Sequence, residues 1–99
     1  MHHARIRIGC SKLNHDLCNN LHVIGDPYCI CGEDIEDAYH YFLDCLIYLD
    51  LRTDLFNGIS AYTQVTLGTI LHGNEHLSII QNRAIFDAVH LYIERTQRF

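Results

Sequence analysis

Long apolar runs, chain breakers and positive charge are all scarce in this sequence of 99 residues. No apolar run approaches the roughly 20 residues that a membrane-spanning helix requires, and the first residues lack the apolar segment of a signal peptide. A single proline and 48% hydrophobic residues argue against disorder. We therefore expect an intracellular protein, in the cytoplasm or nucleus, that has no contact with a membrane. Residues 1–99 are expected to form one small domain.

Catalytic signatures are missing as well. A polymerase needs paired aspartates on a hairpin, whereas the stretch 48–51 has only Asp50 and fits a helical pattern. No phosphate-binding loop and no dinucleotide-binding glycine signature occurs. The Cys29-x-Cys31 pair is one residue too short for a Cys-x-x-Cys redox motif. We expect neither enzymatic activity nor a small-molecule substrate.

Apolar spacing predicts an all-α fold, a small domain of four or five helices. The predicted helices cover 12–22, 38–45, 46–57, 63–71 and 77–96. In the third helix the apolar stripe is Ile47, Leu51 and Leu55, and Asn57-Gly58 is expected to close it. Gly73-Asn74 should end the fourth. The alternating residues 5–8 predict an extended segment or short strand, preceded by a frayed terminus that carries His2 and His3.

Cysteine and histidine are the abundant reactive residues, with five and eight copies. The odd number of cysteines and the absence of an export signal disfavour a disulfide framework. Four of these side chains follow the spacing C-x-C-x8-H-x4-C: Cys29, Cys31, His40 and Cys45. Three thiols and one imidazole form a closed tetrahedral set, which is typical of structural zinc. The alternatives are reduced thiols in the core and a redox or disulfide role.

A shared ion imposes conditions on the local backbone. Residues five apart on an ideal α-helix point about 140° away from each other, so His40 and Cys45 reach one ion only if the helix ends or bends before Cys45. Gly32 is expected to take a positive φ and to help direct backbone N–H groups at the thiolates. Cys10 and Cys18 lie outside the spacing and are expected to be buried thiols.

Three motifs together resemble a known family. They are Arg5-x-Arg7-x-Gly9-x-Ser11-x-Leu13-Asn14, Pro27-x-Cys29-x-Cys31-Gly32 and His40-x-Phe42-Leu43-x-Cys45. In this order they resemble the zinc-binding, zinc-knuckle-like C-terminal region of reverse transcriptases from non-LTR (LINE-type) retrotransposons. The closing residues, Leu71-x-Gly73 and Tyr92-Ile93-x-x-Thr96-x-Arg98-Phe99, are also similar to the ends of such polyproteins. The resemblance covers about residues 5–99. In the family a proline often follows the last zinc cysteine, where this chain has Leu46.

The resemblance implies a zinc-knuckle-like segment over 27–45, with Cys29, Cys31, His40 and Cys45 as zinc ligands. It implies an accessory module of the reverse transcriptase polyprotein that contacts template RNA or target DNA. The candidate phosphate contacts are Arg5, Arg7 and Lys12, with Arg83, Arg95 and Arg98 as a second basic group.

The formal charge of −5 argues against nucleic acid as a partner and favours solvated surface charges instead. Tyr28, Tyr39 and Tyr41 near the cluster either stack on bases or pack in the core or at its rim. Two other roles therefore stay open. The chain is a structural or protein-interaction domain in which zinc only holds the fold, or it is a degenerate relic of a retroelement.

Overall fold

The computed structural model describes residues 2–7, 13, 28–32 and 34–98. The helix predicted over 12–22, together with Cys10, Lys12 and Cys18, falls outside this part except for Leu13. The helical elements are α1 (His2–Arg7), a π-helix (His40–Asp44), a 3₁₀ helix (Leu46–Tyr48), α2 (Leu49–Ser60), α3 (Leu67–His72) and α4 (Ile79–Thr96). The described residues form no strand beyond one isolated antiparallel bridge, between Tyr28 and Ile35. The fold is therefore mostly helical, and none of its described helices is long and apolar enough to cross a membrane.

The N-terminal residues form a helix, so the prediction of an extended segment over 5–8 is wrong where the structure describes it. The expectation of a frayed terminus is also wrong for His3, which is buried. His3 Nε2 donates to the carbonyl of Ile70 at 2.8 Å, and its Nδ1 lies 3.2 Å from His90 Nε2. Ile6, three residues later, is buried as well. Helical spacing puts both side chains on one face, and packing against α3 and α4 stabilises that face.

Two helices replace the single one predicted over 46–57. A 3₁₀ helix precedes α2, and α2 runs past Gly58 to Ser60. Gly58 lies within α2, and a Cβ at this position would lie 2.9 Å from the Cβ of Ala88. The glycine therefore allows α2 and α4 to approach closely.

The buried face of α2 also differs from the predicted stripe. Arg52, Leu55 and Ile59 are buried, whereas Ile47 is 49% exposed and precedes α2. The change from 3₁₀ to α geometry alters the phase of the side chains, because the two helices turn by different angles per residue.

Helices α3 and α4 have clear local signals. The Thr66 hydroxyl caps α3 by accepting from the backbone N–H of Thr69 at 3.1 Å. Gly73, with φ of 72°, ends it at the predicted place. Ser78 and Gln81 form a capping box at the start of α4, which covers Ile79–Thr96 where the sequence predicts 77–96.

The core lies between α2, α4 and the residues that follow Asp37. Helices α2 and α4 form the main pair, and Leu55, Ile59, Ile85 and Val89 are buried. An aromatic cluster extends this core: Tyr41, Phe42, Tyr48 and Tyr92. The ring centroid of Tyr41 is 4.8 Å from that of Phe42 and 5.4 Å from that of Tyr92. The segment with the cysteine and histidine residues is therefore packed against the C-terminal half of α4.

Candidate metal centre

A tight turn presents Cys29 and Cys31. The N–H of Gly32 donates to the carbonyl of Cys29 at 3.0 Å, and the N–H of Cys29 donates to the carbonyl of Asp34 at 2.9 Å. Gly32 has a φ of 78°, as the sequence predicts, which a residue with a Cβ adopts only with strain. The bridge between Tyr28 and Ile35 closes the base of this turn.

A π-helix brings His40 and Cys45 together. The Asp37 carboxylate caps its start by accepting from the N–H of His40 at 2.8 Å. The N–H of Cys45 then donates to the carbonyl of His40 at 2.7 Å, the i→i+5 bond that defines a π-helix. Cys45 itself is extended, with φ −62° and ψ 124°. The prediction that the helix ends before Cys45 is confirmed, and the π-helix is the means by which it does so without a proline.

Arg52 supports the end of this π-helix from α2. Its side chain is buried, its Nε donates to the carbonyl of Phe42 at 3.1 Å, and its Nη2 donates to the carbonyl of Cys45. Both carbonyls lie at the end of a helix, where internal partners are lacking. Arg52 is not among the sequence-predicted site residues, and its only signal in the sequence is a charged residue three positions before Leu55 on the buried face.

The four side chains converge in the structure. Their donor atoms all lie within 4.8 Å of one another. Cys29 Sγ is 3.7 Å from Cys45 Sγ, and Cys31 Sγ is 3.2 Å from His40 Nε2. Zinc–sulfur bonds of about 2.3 Å and zinc–nitrogen bonds of about 2.0 Å at tetrahedral angles separate two sulfurs by about 3.8 Å, and a sulfur from a nitrogen by about 3.5 Å. The two observed distances are close to these ideal separations, so the four residues are placed to hold one metal ion.

Burial favours the protonated form of Cys29 and Cys45 when no cation faces them. Burial raises the pKa of Cys29 to about 12, although a backbone hydrogen bond from Cys31 opposes the shift. Burial also raises the pKa of Cys45, against a backbone hydrogen bond from Ile47. The N–H groups of Cys31 and Ile47 are directed at sulfur, but they do not compensate for burial. A bound cation supplies the missing positive charge, because metals displace the thiol protons.

The three described cysteines of the cluster are not joined to one another by disulfide bonds. A disulfide needs an S–S distance of about 2.05 Å, well below the 3.7 Å between Cys29 and Cys45.

A buried ion pair forms one wall of the centre. Glu36 is buried and receives two hydrogen bonds from Arg98, at 2.9 Å from Nε and 2.5 Å from Nη2. Its Oε2 also lies 3.8 Å from Cys29 Sγ. Arg98 was predicted to belong to a basic group that contacts phosphate, whereas in the structure it pairs with Glu36. Only proximity in the folded chain reveals this, because the two residues are 62 positions apart.

The other members of the two predicted basic groups have different surroundings. Arg5 is exposed on α1, which packs against α3 and α4. The side chain of Arg7 and all of Lys12 lie outside the described residues. Arg95 is paired with Asp54 at 2.8 Å. Of the three tyrosines near the cluster, Tyr41 is in the core, whereas Tyr28 and Tyr39 are 56% and 57% exposed.

No protein-family model, no curated protein and no solved structure matches this chain.

Proposed function

We propose that this chain is a zinc-binding accessory module from the C-terminal end of a non-LTR retrotransposon reverse transcriptase polyprotein. The observation that carries the proposal is the convergence of Cys29, Cys31, His40 and Cys45, whose donor atoms lie within 4.8 Å of one another. These are the residues to which the resemblance assigns the zinc ligands. The rest of the polyprotein is the expected neighbour of the module.

Zinc is the metal that suits this donor set best. Thiolates and imidazole favour zinc over the magnesium and calcium ions, which prefer oxygen ligands. All four tetrahedral positions are supplied by protein side chains, which is typical of a structural ion. Since the ligands meet only in the folded chain, the free energy of metal binding contributes directly to folding.

Metal content and chelation test the zinc centre. The natively purified chain is expected to hold about one equivalent of zinc by mass spectrometry. Removal of the ion with a strong chelator should unfold the domain, seen as loss of helical circular dichroism, and zinc should restore it while magnesium should not. A chain that keeps its helices and its melting temperature after complete removal of zinc would contradict a structural role.

The nucleic-acid role depends on the surface beside the cluster. Tyr28 and Tyr39 are exposed next to Cys29 and His40, and exposed aromatic rings are the platforms on which single-stranded bases stack. Titration with single-stranded RNA at salt concentrations from about 50 to 200 mM measures the electrostatic part of the binding free energy. Each phosphate contact adds roughly one unit to the slope of the logarithm of affinity against the logarithm of salt concentration.

The two tyrosines provide a matched variant for that titration. Replacing both Tyr28 and Tyr39 by alanine should weaken RNA binding by about 1–3 kcal/mol per stacked base. Tyr62→Ala is the control, because Tyr62 is 42% exposed in the turn after α2 and is not part of this surface. Equal losses of RNA affinity in the two variants would contradict the proposed stacking surface.

A protein-interaction domain, in which zinc only holds the fold, is the second candidate. It is favoured by the charge of −5. It is also favoured by the ion pairs of Arg95 with Asp54 and of Arg98 with Glu36, which leave fewer cations to contact phosphate. The exposed Leu46, Ile47 and Leu49 supply an apolar surface of the kind that partners cover. Absence of any salt-sensitive RNA affinity, in a chain that holds zinc, would decide for this candidate.

A further inference from the structure

The two ring nitrogens of His40 have different surroundings. Nε2 lies 3.2 Å from Cys31 Sγ and faces the cluster. Nδ1 is buried, and it is the one buried side-chain nitrogen or oxygen of the described residues that lacks a hydrogen-bond partner. The His40 side chain is only 3% exposed, so bulk water does not satisfy this atom. A buried polar nitrogen without a hydrogen-bond partner lowers the stability of the folded state. The groups next to Nδ1 are therefore candidates for such a partner.

Two carboxylates stand next to this nitrogen. Asp44 Oδ2 lies 3.6 Å from His40 Nδ1, just beyond hydrogen-bond length. Asp34 is also close, since one oxygen of each aspartate and a His40 ring nitrogen lie within 4.8 Å of one another. Asp34 already accepts from the N–H of Ile35 at 2.7 Å. The Asp44 side chain is 60% exposed, and a small rotation brings its oxygen into range.

The protonation state of the ring decides what these carboxylates do. A neutral imidazole carries one proton, so a ring that uses Nε2 as a metal ligand carries that proton on Nδ1. Such an N–H donates a hydrogen bond and does not ligate a second ion. The carboxylate beside it is therefore an acceptor, an arrangement that fixes the tautomer and the orientation of a metal-binding histidine.

We propose that Asp44 is a positioning residue that accepts a hydrogen bond from His40 Nδ1–H and thereby directs Nε2 at the metal ion. The proposal rests on the proposed zinc centre. The π-helix then has a second role, because it carries both the ligand His40 and the hydrogen-bond acceptor Asp44, four residues later.

Zinc affinity of the full chain, measured by competition with a chromophoric chelator, tests the proposal. Asp44→Ala should weaken zinc binding about tenfold, the lower end of losses seen when such outer partners are removed, and Asp44→Glu should recover most of the affinity because it keeps a carboxylate. Asp87→Ala is the matched control, since it removes the same charge from an exposed position on α4 outside the cluster. It should leave the affinity unchanged.

A spectroscopic readout separates orientation from general stability. In the zinc-loaded parent, ¹⁵N spectra should show His40 protonated at Nδ1, with a proton that exchanges slowly with water. In Asp44→Ala that proton should exchange faster. A variant that is merely less stable would lose signals across the whole chain instead.

The outcomes are distinguishable from failure of the zinc centre. A parent chain that binds no zinc refutes that centre, and this proposal with it. A parent that binds one zinc, with Asp44→Ala binding equally tightly and exchanging at the same rate, refutes only the role of Asp44. Two equivalents of zinc in the parent and one in Asp44→Ala would also overturn it, because the carboxylates would then be ligands of a second ion.

Discussion

At the scale of single residues, the three cysteines of the cluster differ in burial although they are equivalent as candidate ligands. Cys29 and Cys45 are buried, whereas Cys31 is only half-buried at the turn before Gly32. A half-buried thiol contributes little through packing alone. The same thiol contributes a quarter of the ligands if an ion is bound. Cys31 is therefore the position at which the two explanations of the cluster differ most.

Replacing Cys31 by serine should remove zinc binding and most of the free energy of unfolding of the zinc-loaded chain, because a structural ion needs all its ligands. Denaturant titration with and without chelator measures this, and the variant should match the chelated parent. Cys18→Ser, outside the ligand set, is the control and should cost about 1–2 kcal/mol. A Cys31→Ser chain that melts with the parent would show that the cluster is not a structural metal centre.

The buried tyrosines predict instability at alkaline pH. Burial raises the pKa of Tyr41 and of Tyr92 well above the ordinary value. The Tyr92 hydroxyl donates to the carbonyl of Tyr41 at 2.5 Å, and the Tyr41 hydroxyl lies 2.7 Å from Thr96 Oγ1. The folded state therefore favours the protonated phenols. Their contribution is intact below the unfolded pKa of about 10, and it is lost as pH rises toward the folded pKa.

We accordingly expect the free energy of unfolding of the zinc-loaded chain to fall as pH rises above about 10. Part of the tyrosinate absorbance should appear only together with unfolding, since the buried phenols ionise when the core opens. Tyr92→Phe should make the fall shallower, because the chain then has one buried phenol fewer to ionise. A stability that stays level through this range would show that neither phenol is protected.

At the scale of secondary-structure elements, one glycine sets the distance between the main helices. Gly58 lies on α2 opposite Ala88 on α4, whereas a Cβ added to Gly68 on α3 would make only an ordinary van der Waals contact. Both are helical positions at which alanine is the better helix former by about 1 kcal/mol. The structure therefore offers two identical substitutions with opposite expected effects.

Gly68→Ala should stabilise the domain by about 0.5–1 kcal/mol, because the added Cβ is in ordinary contact, 3.8 Å from Thr66 Oγ1. Gly58→Ala should destabilise it by about 1–2 kcal/mol, because overpacking against Ala88 exceeds the gain in helix propensity. Thermal unfolding of both variants measures the difference. Adding Ala88→Gly to Gly58→Ala should restore stability. If it does not, the contact with Ala88 is not the cause of the loss.

At the scale of the whole molecule, a residue beyond the end of α4 packs beside the candidate metal centre. Arg98 reaches back across 62 positions to Glu36, which is buried beside Cys29. The pair lies where α4 ends, next to the contacts of Tyr41 with Thr96 and Tyr92. Arg98 therefore contributes to the fold of the segment that carries Cys29 and Glu36.

Arg98→Ala should cost about 3 kcal/mol, because it leaves the Glu36 carboxylate buried without its partner. Arg95→Ala is the matched control: it breaks the exposed pair with Asp54, whose side chains are 45% and 66% exposed, and should cost at most about 1 kcal/mol. Denaturant titration compares the two. Glu36→Gln in the Arg98→Ala background should recover part of the loss, and no recovery would indicate that the charge on Glu36 is not its cause.

The features that sequence reasoning predicted well depend on neighbouring residues. The positive φ of Gly32, the end of α3 at Gly73 and the extent of α4 are fixed within a few residues by backbone sterics, capping and apolar spacing. The same holds for the requirement that the helix end before Cys45, which follows from helical geometry alone.

Only the tertiary structure decided the features that depend on contacts between residues far apart in the sequence. The N-terminal residues are helical because His3 and Ile6 dock on α3 and α4, which alternation in the sequence does not reveal. The glycine within α2, the arginine that holds the carbonyl of Cys45 and the ion pair of Glu36 are each explained by a residue on another element. The sequence by itself determined which four side chains are available to a metal. The packing of α2 and α4 around the π-helix determined that they meet, because a local pattern carries no information about contacts made through space.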